Sequence, residues 1–231
     1  MVNGAVLDTD VLLKVAIWGL GGVLHDVIAP LGQPGVLGLT HLIARKQLRR
    51  LKNLPDVATT DAALGCLLAQ LAQLEPTPEE VAFAAEIVEA AVSLDLPLDR
   101  GEAQIVAIVV VRALPLMITG DKRALASLSP VLHSIGRGGA CDGRMACLEQ
   151  ALAAMAEQVG IGEVRRGVCK WPDGDMAAHI CFACGREDFS ETSVVEGLVS
   201  YVGSARGASG GTLLCESLQE AVASARNVRE D

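Results

Sequence analysis

The strongest constraint on the fold of this chain is a repeated local pattern, in which a short apolar run is followed directly by an acidic turn and a helix. Residues 5–7 are apolar and precede Asp8 and Asp10, and a second apolar run over residues 116–119 precedes Asp121. Parallel strands need a crossover between them, and a helix supplies it. The pattern therefore predicts an α/β fold with a parallel sheet flanked by helices.

The remaining periodic segments predict further helices and a division of the chain. A capping box at Thr77 and a Thr60 cap mark two helix starts, and Gly136 begins a glycine-rich break in the pattern. We expect helices over residues 41–52, 61–74, 78–93, 99–112, 145–159 and 216–226. We place a domain boundary at this break, with one domain over residues 1–135 and an α+β extension over residues 136–231. Within the extension, Pro172 and the residues after it are typical of a hairpin turn.

Composition excludes several functional classes. The formal charge of −9 and the pI near 4.9 repel polyanions, so contact with nucleic acid requires a local basic patch or metal ions. Apolar runs end well short of the ~20 residues that a membrane span needs, so no membrane interaction is expected. The first residues lack the basic region of a secretory signal, and we expect a cytoplasmic protein.

Carboxylates stand at the points where strands end or helices begin. Asp8 and Asp10 follow the first apolar run, Asp99 and Glu102 open a helix, and Asp121 follows the later run. The carboxyl ends of parallel strands share one edge, where ligands bind. Carboxylates that converge there repel one another unless a cation neutralises them, and their oxygens suit Mg²⁺ or Mn²⁺. The pattern predicts metal-assisted hydrolysis of a phosphoester.

A purely structural interpretation of these acids stays open. Asp10 or Asp121 can cap a helix, and Asp99 with Glu102 has the spacing of a capping box. For Asp8, which directly follows the strand, a cap is the less natural interpretation.

Three segments resemble the ordered motifs of PIN-domain nucleases: VLDTDVLL at residues 6–13, GEA at residues 101–103 and ITGDKRAL at residues 118–125. The resemblance covers about the first 135 residues. It implies a Rossmann-like sheet and an acidic cluster that binds Mg²⁺ or Mn²⁺ and cleaves RNA. It also implies a toxin of a toxin/antitoxin pair, with an antitoxin protein as partner.

Individual residues carry over from this resemblance. Asp8 matches the first-strand aspartate, Glu102 or Asp99 the acid at the start of the later helix, and Asp121 the aspartate after the following strand. Asp10 falls where the family usually has a small polar residue. The family also has an acid on a mid-domain helix, whereas residues 39–52 contain none. Either Asp10 compensates for that missing charge or the site is weakened.

A basic helix stands where the mid-domain acid is missing. Its cations are Arg45, Lys46, Arg49, Arg50 and Lys52. Such a surface is typical of phosphate binding, and a solvated helix face is the equally simple alternative. Lys122, beside Asp121, is a further candidate for contact with RNA.

The cysteines suggest a second metal site. Cys181 and Cys184 form a C-x-x-C pair, and Cys169 with His179 lies on the adjoining hairpin, so four Zn²⁺ ligands can be assembled. Buried thiols are the alternative, and an odd count of seven in a chain without a leader argues against a disulfide framework.

The leading functional hypothesis is a divalent-metal-dependent ribonuclease. A haloacid-dehalogenase-like phosphatase is the alternative enzyme, because the Asp8-Thr9-Asp10 segment resembles its nucleophile and general-acid pair. A catalytically weak PIN-like module that binds RNA or protein is the third. Apolar positions over residues 194–202 suggest packing or homodimer contacts.

Overall fold

A parallel sheet forms the centre of the molecule. The computed structural model describes residues 2–54, 56–214 and 216–230. In these residues the strands of the sheet are β1 (Val6–Leu7), β2 (Gly35–Leu37), β3 (Ala72–Leu74), β4 (Met117–Thr119) and β5 (Met145–Cys147). Their order is β3-β2-β1-β4-β5, and every neighbouring pair is parallel. The α/β architecture expected from the sequence is confirmed.

Helices connect and flank these strands. In the described part of the chain they are α1 (Thr9–Ile17), α2 (Gly21–Ile28), α3 (Thr40–Leu48), α4 (Val57–Gln70), α5 (Pro78–Ser93), α6 (Arg100–Val111), α7 (Lys122–Ser134), α8 (Leu148–Val159), α9 (Ile161–Val168), α10 (Met176–Cys181), α11 (Glu191–Ala208) and α12 (Leu218–Glu230). Short 3-10 helices cover Ala29–Leu31 and Pro172–Gly174. Among the described helices, none is both long and apolar enough to cross a bilayer.

The strands bury alternate residues against two different apolar cores. Val6 and Met117 pack in the core that contains α5, α6 and α7. Leu7 and Ile118 pack in the core that contains α1, α2, α4 and α8. Because successive side chains of a strand point to opposite faces, this alternation places helices on both faces of the sheet. Both faces are therefore covered, and the ends of the strands are left as the place for a site.

Two predicted boundaries near α4 are wrong. Asp56, and not Thr60, caps this helix, because the Asp56 side chain accepts a hydrogen bond of 3.0 Å from the N–H of Thr59. The Thr60 hydroxyl instead donates to the Asp56 carbonyl within the first turn. Residues 72–74, predicted as the end of a helix, form β3, because pairing with β2 satisfies their backbone.

The region beyond residue 136 contributes a strand to the central sheet. Its β5 pairs with β4, and both apolar cores contain residues from each side of the proposed boundary. The helix predicted from residue 145 begins at Leu148, because residues 145–147 belong to β5. The predicted hairpin is wrong: residues 172–174 form a 3-10 turn between helices α9 and α10, and Asp175 caps α10 by accepting from the N–H of Ala178.

Candidate acidic site

An open cleft lies where β1 and β4 end, at the centre of the sheet. From β1 the chain passes to β2 and β3 on one side and later to β4 and β5 on the other. Such a reversal of strand order leaves a crevice at the carboxyl ends of the strands. The residues that line the cleft are Asp8, Asp10, Lys14, Asp99, Glu102, Gly120, Asp121, Lys122 and Arg123. The fold thus brings together every acid that the sequence predicts for the site.

Asp8 is the first residue after β1 and caps α1. Its Oδ1 accepts a hydrogen bond of 2.7 Å from the N–H of Thr9, so the cap interpretation that the sequence disfavours for Asp8 is correct. Burial raises the pKa of Asp8 to about 6. The Thr9 hydrogen bond opposes this rise, and the nearby carboxylates of Asp10 and Asp99 add to it. Capping and a place in the cleft are therefore compatible for the same side chain.

Glu102 and Asp99 cap α6 reciprocally. Asp99 Oδ1 accepts from the N–H of Glu102 at 2.8 Å, and Glu102 Oε2 accepts from the N–H of Asp99 at 2.9 Å. Burial raises the pKa of Glu102 to about 7, against the backbone hydrogen bond from Asp99 and with the help of the negative charges of Asp99, Asp121 and Asp8. The capping box is confirmed, and the raised pKa indicates that the neighbouring acids are close enough to repel.

Asp121 caps α7 on the other side of the cleft. Its Oδ1 accepts from the backbone N–H groups of Arg123 at 2.8 Å and Ala124 at 3.2 Å. Its Oδ2 lies 3.2 Å from the Arg123 guanidinium. Burial alone would raise the pKa of Asp121, but these hydrogen bonds and the Arg123 charge outweigh burial and lower it. The surroundings of Asp121 therefore favour the ionised form, in contrast to those of Asp8 and Glu102.

A lysine that the sequence analysis did not single out lies between two carboxylates. Lys14 Nζ lies 2.6 Å from Asp10 Oδ2 and 2.7 Å from Asp175 Oδ2, and both Lys14 and Asp175 are largely buried. The backbone of Gly120 approaches so closely that a Cβ there would collide with Asp10 Oδ2. Asp10, the acid that was expected to compensate for the missing mid-domain charge, is thus ion-paired with Lys14.

Lys122 also pairs with an acid from a distant part of the chain. Its Nζ lies 2.6 Å from Oε1 of Glu149, which is completely buried. The ring of Tyr201 is beneath the same ammonium group, with 5.1 Å between Nζ and the ring centroid. Lys122, predicted as an RNA contact, therefore lines the acidic cleft, and Glu149 and Tyr201 both contact its ammonium group.

The sequence carries unequal signals for the residues that were missed. Lys14 follows Asp10 by four positions, which is the spacing of neighbouring side chains on a helix. Asp175 stands at a helix start that was interpreted as a hairpin turn. Glu149 follows β5, whose residues were predicted to belong to a helix over residues 145–159. Recognition of β5 would have placed Glu149 at the same sheet edge as Asp8 and Asp121.

The predicted basic helix ends at Leu48, and its exposed cations, here called the α3 cations, lie on α3 and in the turn that follows it, outside the acidic cleft. Arg45, Lys46, Arg49 and Arg50 are exposed and line a separate shallow depression with Leu42. Arg45 also lies 3.6 Å from Asp61 of α4. The expected basic surface therefore exists, and its residues do not enter the group that lines the cleft.

The predicted zinc ligands do not form a site in this structure. Cys169 and Cys184 are joined in a disulfide, which removes both thiolates as ligands. The hairpin that was expected to carry Cys169 and His179 is replaced by helices α9 and α10, and in α10 Cys181 is a buried free thiol. Burial raises the pKa of Cys181 to about 11, so this thiol stays protonated at neutral pH. The expectation that the cysteines avoid disulfides is also wrong for this pair.

The acids of the cleft fit a hard divalent cation in the chemistry of their donors. Asp8, Asp99, Glu102 and Asp121 offer only carboxylate oxygens, and the raised pKa values of Asp8 and Glu102 reflect burial and mutual repulsion that a cation would relieve. As these side chains stand, no three His, Cys, Asp or Glu groups among the described residues are arranged to hold a metal ion. Coordination would therefore require changes of side-chain rotamer.

Comparison of the chain with protein-family models, with curated proteins and with solved structures found no match.

Proposed function

We propose that this protein is a divalent-metal-dependent ribonuclease whose site is the cleft between β1 and β4. The observation that carries the proposal is the convergence of Asp8, Asp99, Glu102 and Asp121 on one cleft, with the pKa raised at Asp8 and Glu102. Perturbed acids in a cleft at the switch point of a parallel sheet are typical of functional sites. Helix capping accounts for their hydrogen bonds and not for their convergence.

Each acid has a role in this proposal. Asp8 and Asp121, which follow the two central strands, would hold the cation, and Glu102 and Asp99 would supply further carboxylate oxygens from the start of α6. When bound, a divalent ion supplies an activated water and neutralises charge on the phosphoryl group. Lys122 and Arg123 border the same cleft and offer positive charge to the substrate.

Two features support RNA as the substrate. The three motifs that carry the acids resemble those of PIN-domain nucleases. The exposed α3 cations, including Lys46 on the helix and Arg49 directly after it, offer phosphate contacts on a protein whose net charge is −9. Local basic residues are required because the molecule as a whole repels polyanions.

A phosphatase of the haloacid-dehalogenase type is the second candidate, and the position of Asp8 and Asp10 beside the end of β1 favours it. In such a reaction Asp8 would attack phosphorus and Asp10 would protonate the leaving group. Asp10, however, is ion-paired with Lys14 at 2.6 Å, and it would have to leave that partner to deliver a proton. We therefore rank the phosphatase below the nuclease.

The deciding experiment measures cleavage of a mixed single-stranded RNA pool with Mn²⁺, with Mg²⁺ and with EDTA. We expect cleavage that requires metal and that falls by at least about 100-fold in Asp8→Asn and Asp121→Asn, since a metal ion contributes several kcal/mol to such reactions. Asparagine keeps a capping acceptor, so both variants should fold.

Asp188→Asn is the matched control, because Asp188 is exposed and lies outside the cleft. The same samples are assayed with p-nitrophenyl phosphate. Metal-dependent release of nitrophenol without RNA cleavage would favour the phosphatase. RNA binding with neither activity would favour a non-catalytic module, and full RNA cleavage by both cleft variants would refute the acidic site.

A further inference from the structure

The two lysines of the cleft are each held by an acid from the region beyond residue 136. Asp175 accepts from Lys14, and Glu149 pairs with Lys122. Lys122 also feels the charge of Asp175. The signs of charge therefore alternate through Asp10, Lys14, Asp175, Lys122 and Glu149. This alternation joins the acidic cleft to the C-terminal helices.

Glu149 is the unusual member of this network. It is completely buried, its Oε1 lies 2.6 Å from Lys122 Nζ, and the Cys147 thiol also makes hydrogen-bond contact with its carboxylate. A buried carboxylate with one charged partner is costly to maintain, and an apolar pair of similar size is often at least as stable. Stability alone therefore does not explain why this pair is present.

Helix capping does not explain Glu149 either. Glu149 lies in the first turn of α8, where an acid is commonly found. The N–H of Cys147, at the start of this helix, is satisfied by Gln150 Oε1 at 3.1 Å. Gln150 also donates to the carbonyl of Leu214. Since Gln150 performs the capping, the carboxylate of Glu149 is directed to Lys122.

Lys122 keeps donors for a ligand while it is held in this way. An ammonium group has three N–H donors, and Glu149 occupies one of them. The Tyr201 ring contacts the ammonium through its π face. The Lys122 side chain is still 30% exposed and borders the cleft beside Asp121. Its charge is therefore presented to the cleft in a fixed position.

We propose that Glu149 is a positioning residue, which holds Lys122 so that its ammonium group binds a phosphate oxygen of RNA in the acidic cleft. The ring of Tyr201 contacts the same ammonium group and helps to fix its position. This inference rests on the proposed nuclease function, and it gives the C-terminal region a role in completing the site. Because a positioned lysine binds the phosphate before and during reaction, its loss raises KM more than it lowers kcat.

The test compares wild-type protein with Glu149→Gln and with the double variant Lys122→Met plus Glu149→Leu. A fluorescent single-stranded RNA 12-mer is the probe. Its Kd is measured by anisotropy in EDTA, and KM and kcat are measured with Mn²⁺. We expect Glu149→Gln to raise Kd and KM by about tenfold, with kcat within threefold of wild type and Mn²⁺ affinity unchanged.

The double variant separates a structural role from a functional one. It removes both charges together, so it should fold with a thermal midpoint at or above that of wild type. We nevertheless expect the same tenfold rise in Kd. The single variant Lys122→Arg keeps the positive charge, so its Kd should stay within about threefold of the wild-type value. Glu157→Gln, an exposed acid on the same helix, is the matched control.

The outcomes distinguish this inference from the proposed function. If wild-type protein cleaves RNA and both test variants keep its Kd and KM, the positioning role is refuted and the nuclease stands. If wild-type protein binds RNA without cleaving it and the variants lose that binding, the nuclease fails and the role of Glu149 stands. Wild-type protein that neither binds nor cleaves RNA overturns both.

Discussion

Lys14 and Asp175 are separated by 161 positions in the chain, yet Lys14 Nζ donates a hydrogen bond of 2.7 Å to Asp175 Oδ2. Both side chains are largely buried, and Asp175 also caps α10. The pair therefore fixes the start of a C-terminal helix against the first helix of the chain. Burial opposes the ionised form of Asp175, but Lys14 and the cap outweigh it and lower its pKa.

The first prediction concerns the stability of this contact. Asp175→Asn keeps a capping acceptor and removes the charge that faces Lys14. We expect the free energy of unfolding to fall by about 1 to 3 kcal/mol, which is the usual cost of losing a buried hydrogen bond to a charged group. Urea denaturation measures this change. The exposed pair of Asp188 and Arg186 is the control, since Asp188→Asn should cost less than about 1 kcal/mol. Equal losses in the two variants would contradict the prediction.

The second prediction concerns pH in the absence of metal. The pKa is raised to about 6 at Asp8 and to about 7 at Glu102, so the folded protein keeps protons that the unfolded chain has already released. The free energy of unfolding should therefore decrease as pH rises from about 4 to about 7, by on the order of 1 to 3 kcal/mol per group. Urea denaturation in EDTA at pH 5 and pH 8 checks the sign.

Glu102→Gln provides the control for this pH effect. Glutamine retains an acceptor for the capping box and cannot ionise, so the difference between pH 5 and pH 8 should shrink. Stability that rises between these two pH values in the wild-type protein would show that the burial of Asp8 and Glu102 is not what governs the pH response.

The third prediction concerns the cations of α3. Lys46→Ala with Arg49→Ala should weaken the binding of single-stranded RNA. It should also make the slope of log K against log salt shallower, by about 0.7 for each phosphate that the variant no longer neutralises. Anisotropy titrations at several salt concentrations measure both quantities. Lys170→Ala, an exposed cation near α9, is the control. An unchanged slope in the α3 variant would identify this surface as a solvated helix face.

The fourth prediction concerns the disulfide between Cys169 and Cys184, which closes a loop with a sequence separation of 15. Reduction should lower the free energy of unfolding by roughly 3 kcal/mol, because the unfolded chain gains conformational freedom. Thermal unfolding with and without a phosphine reductant measures the effect. The Cys169→Ser, Cys184→Ser variant should give the same midpoint in both conditions. A wild-type unfolding midpoint that is the same with and without the reductant would contradict the prediction.

The sequence contains most of the information about the acidic cleft and little about what supports it. Asp8 directly follows β1, Asp121 comes two positions after the end of β4, and Glu102 belongs to a capping box. Local patterns therefore predict where these acids lie. The partner of Lys122 is 27 positions away, and no local spacing predicts that pairing. Long-range pairings of this kind depend on the fold as a whole.

The errors in the second half of the chain have one physical origin. Residues 145–147 form a strand because β4 offers an unpaired edge, whereas their local pattern continues without a break into the apolar pattern of α8. Short apolar runs do not distinguish a buried strand from a buried helix. The hairpin prediction is wrong for a related reason, since the turn residues at 172–175 form a 3-10 turn and the cap of a helix.

The pairing of β4 with β5 also bears on how the chain can be divided. A protein cut at residue 135 would present β4, which is buried and apolar, as an open row of backbone donors and acceptors. Such an edge recruits strands from other molecules and leads to aggregation. In the intact chain the outer side of β5 is itself protected, since Met145 exchanges backbone hydrogen bonds with Thr212 and Leu214. Residues on both sides of position 135 thus complete one sheet, and the later residues cover the edge that β4 would otherwise expose.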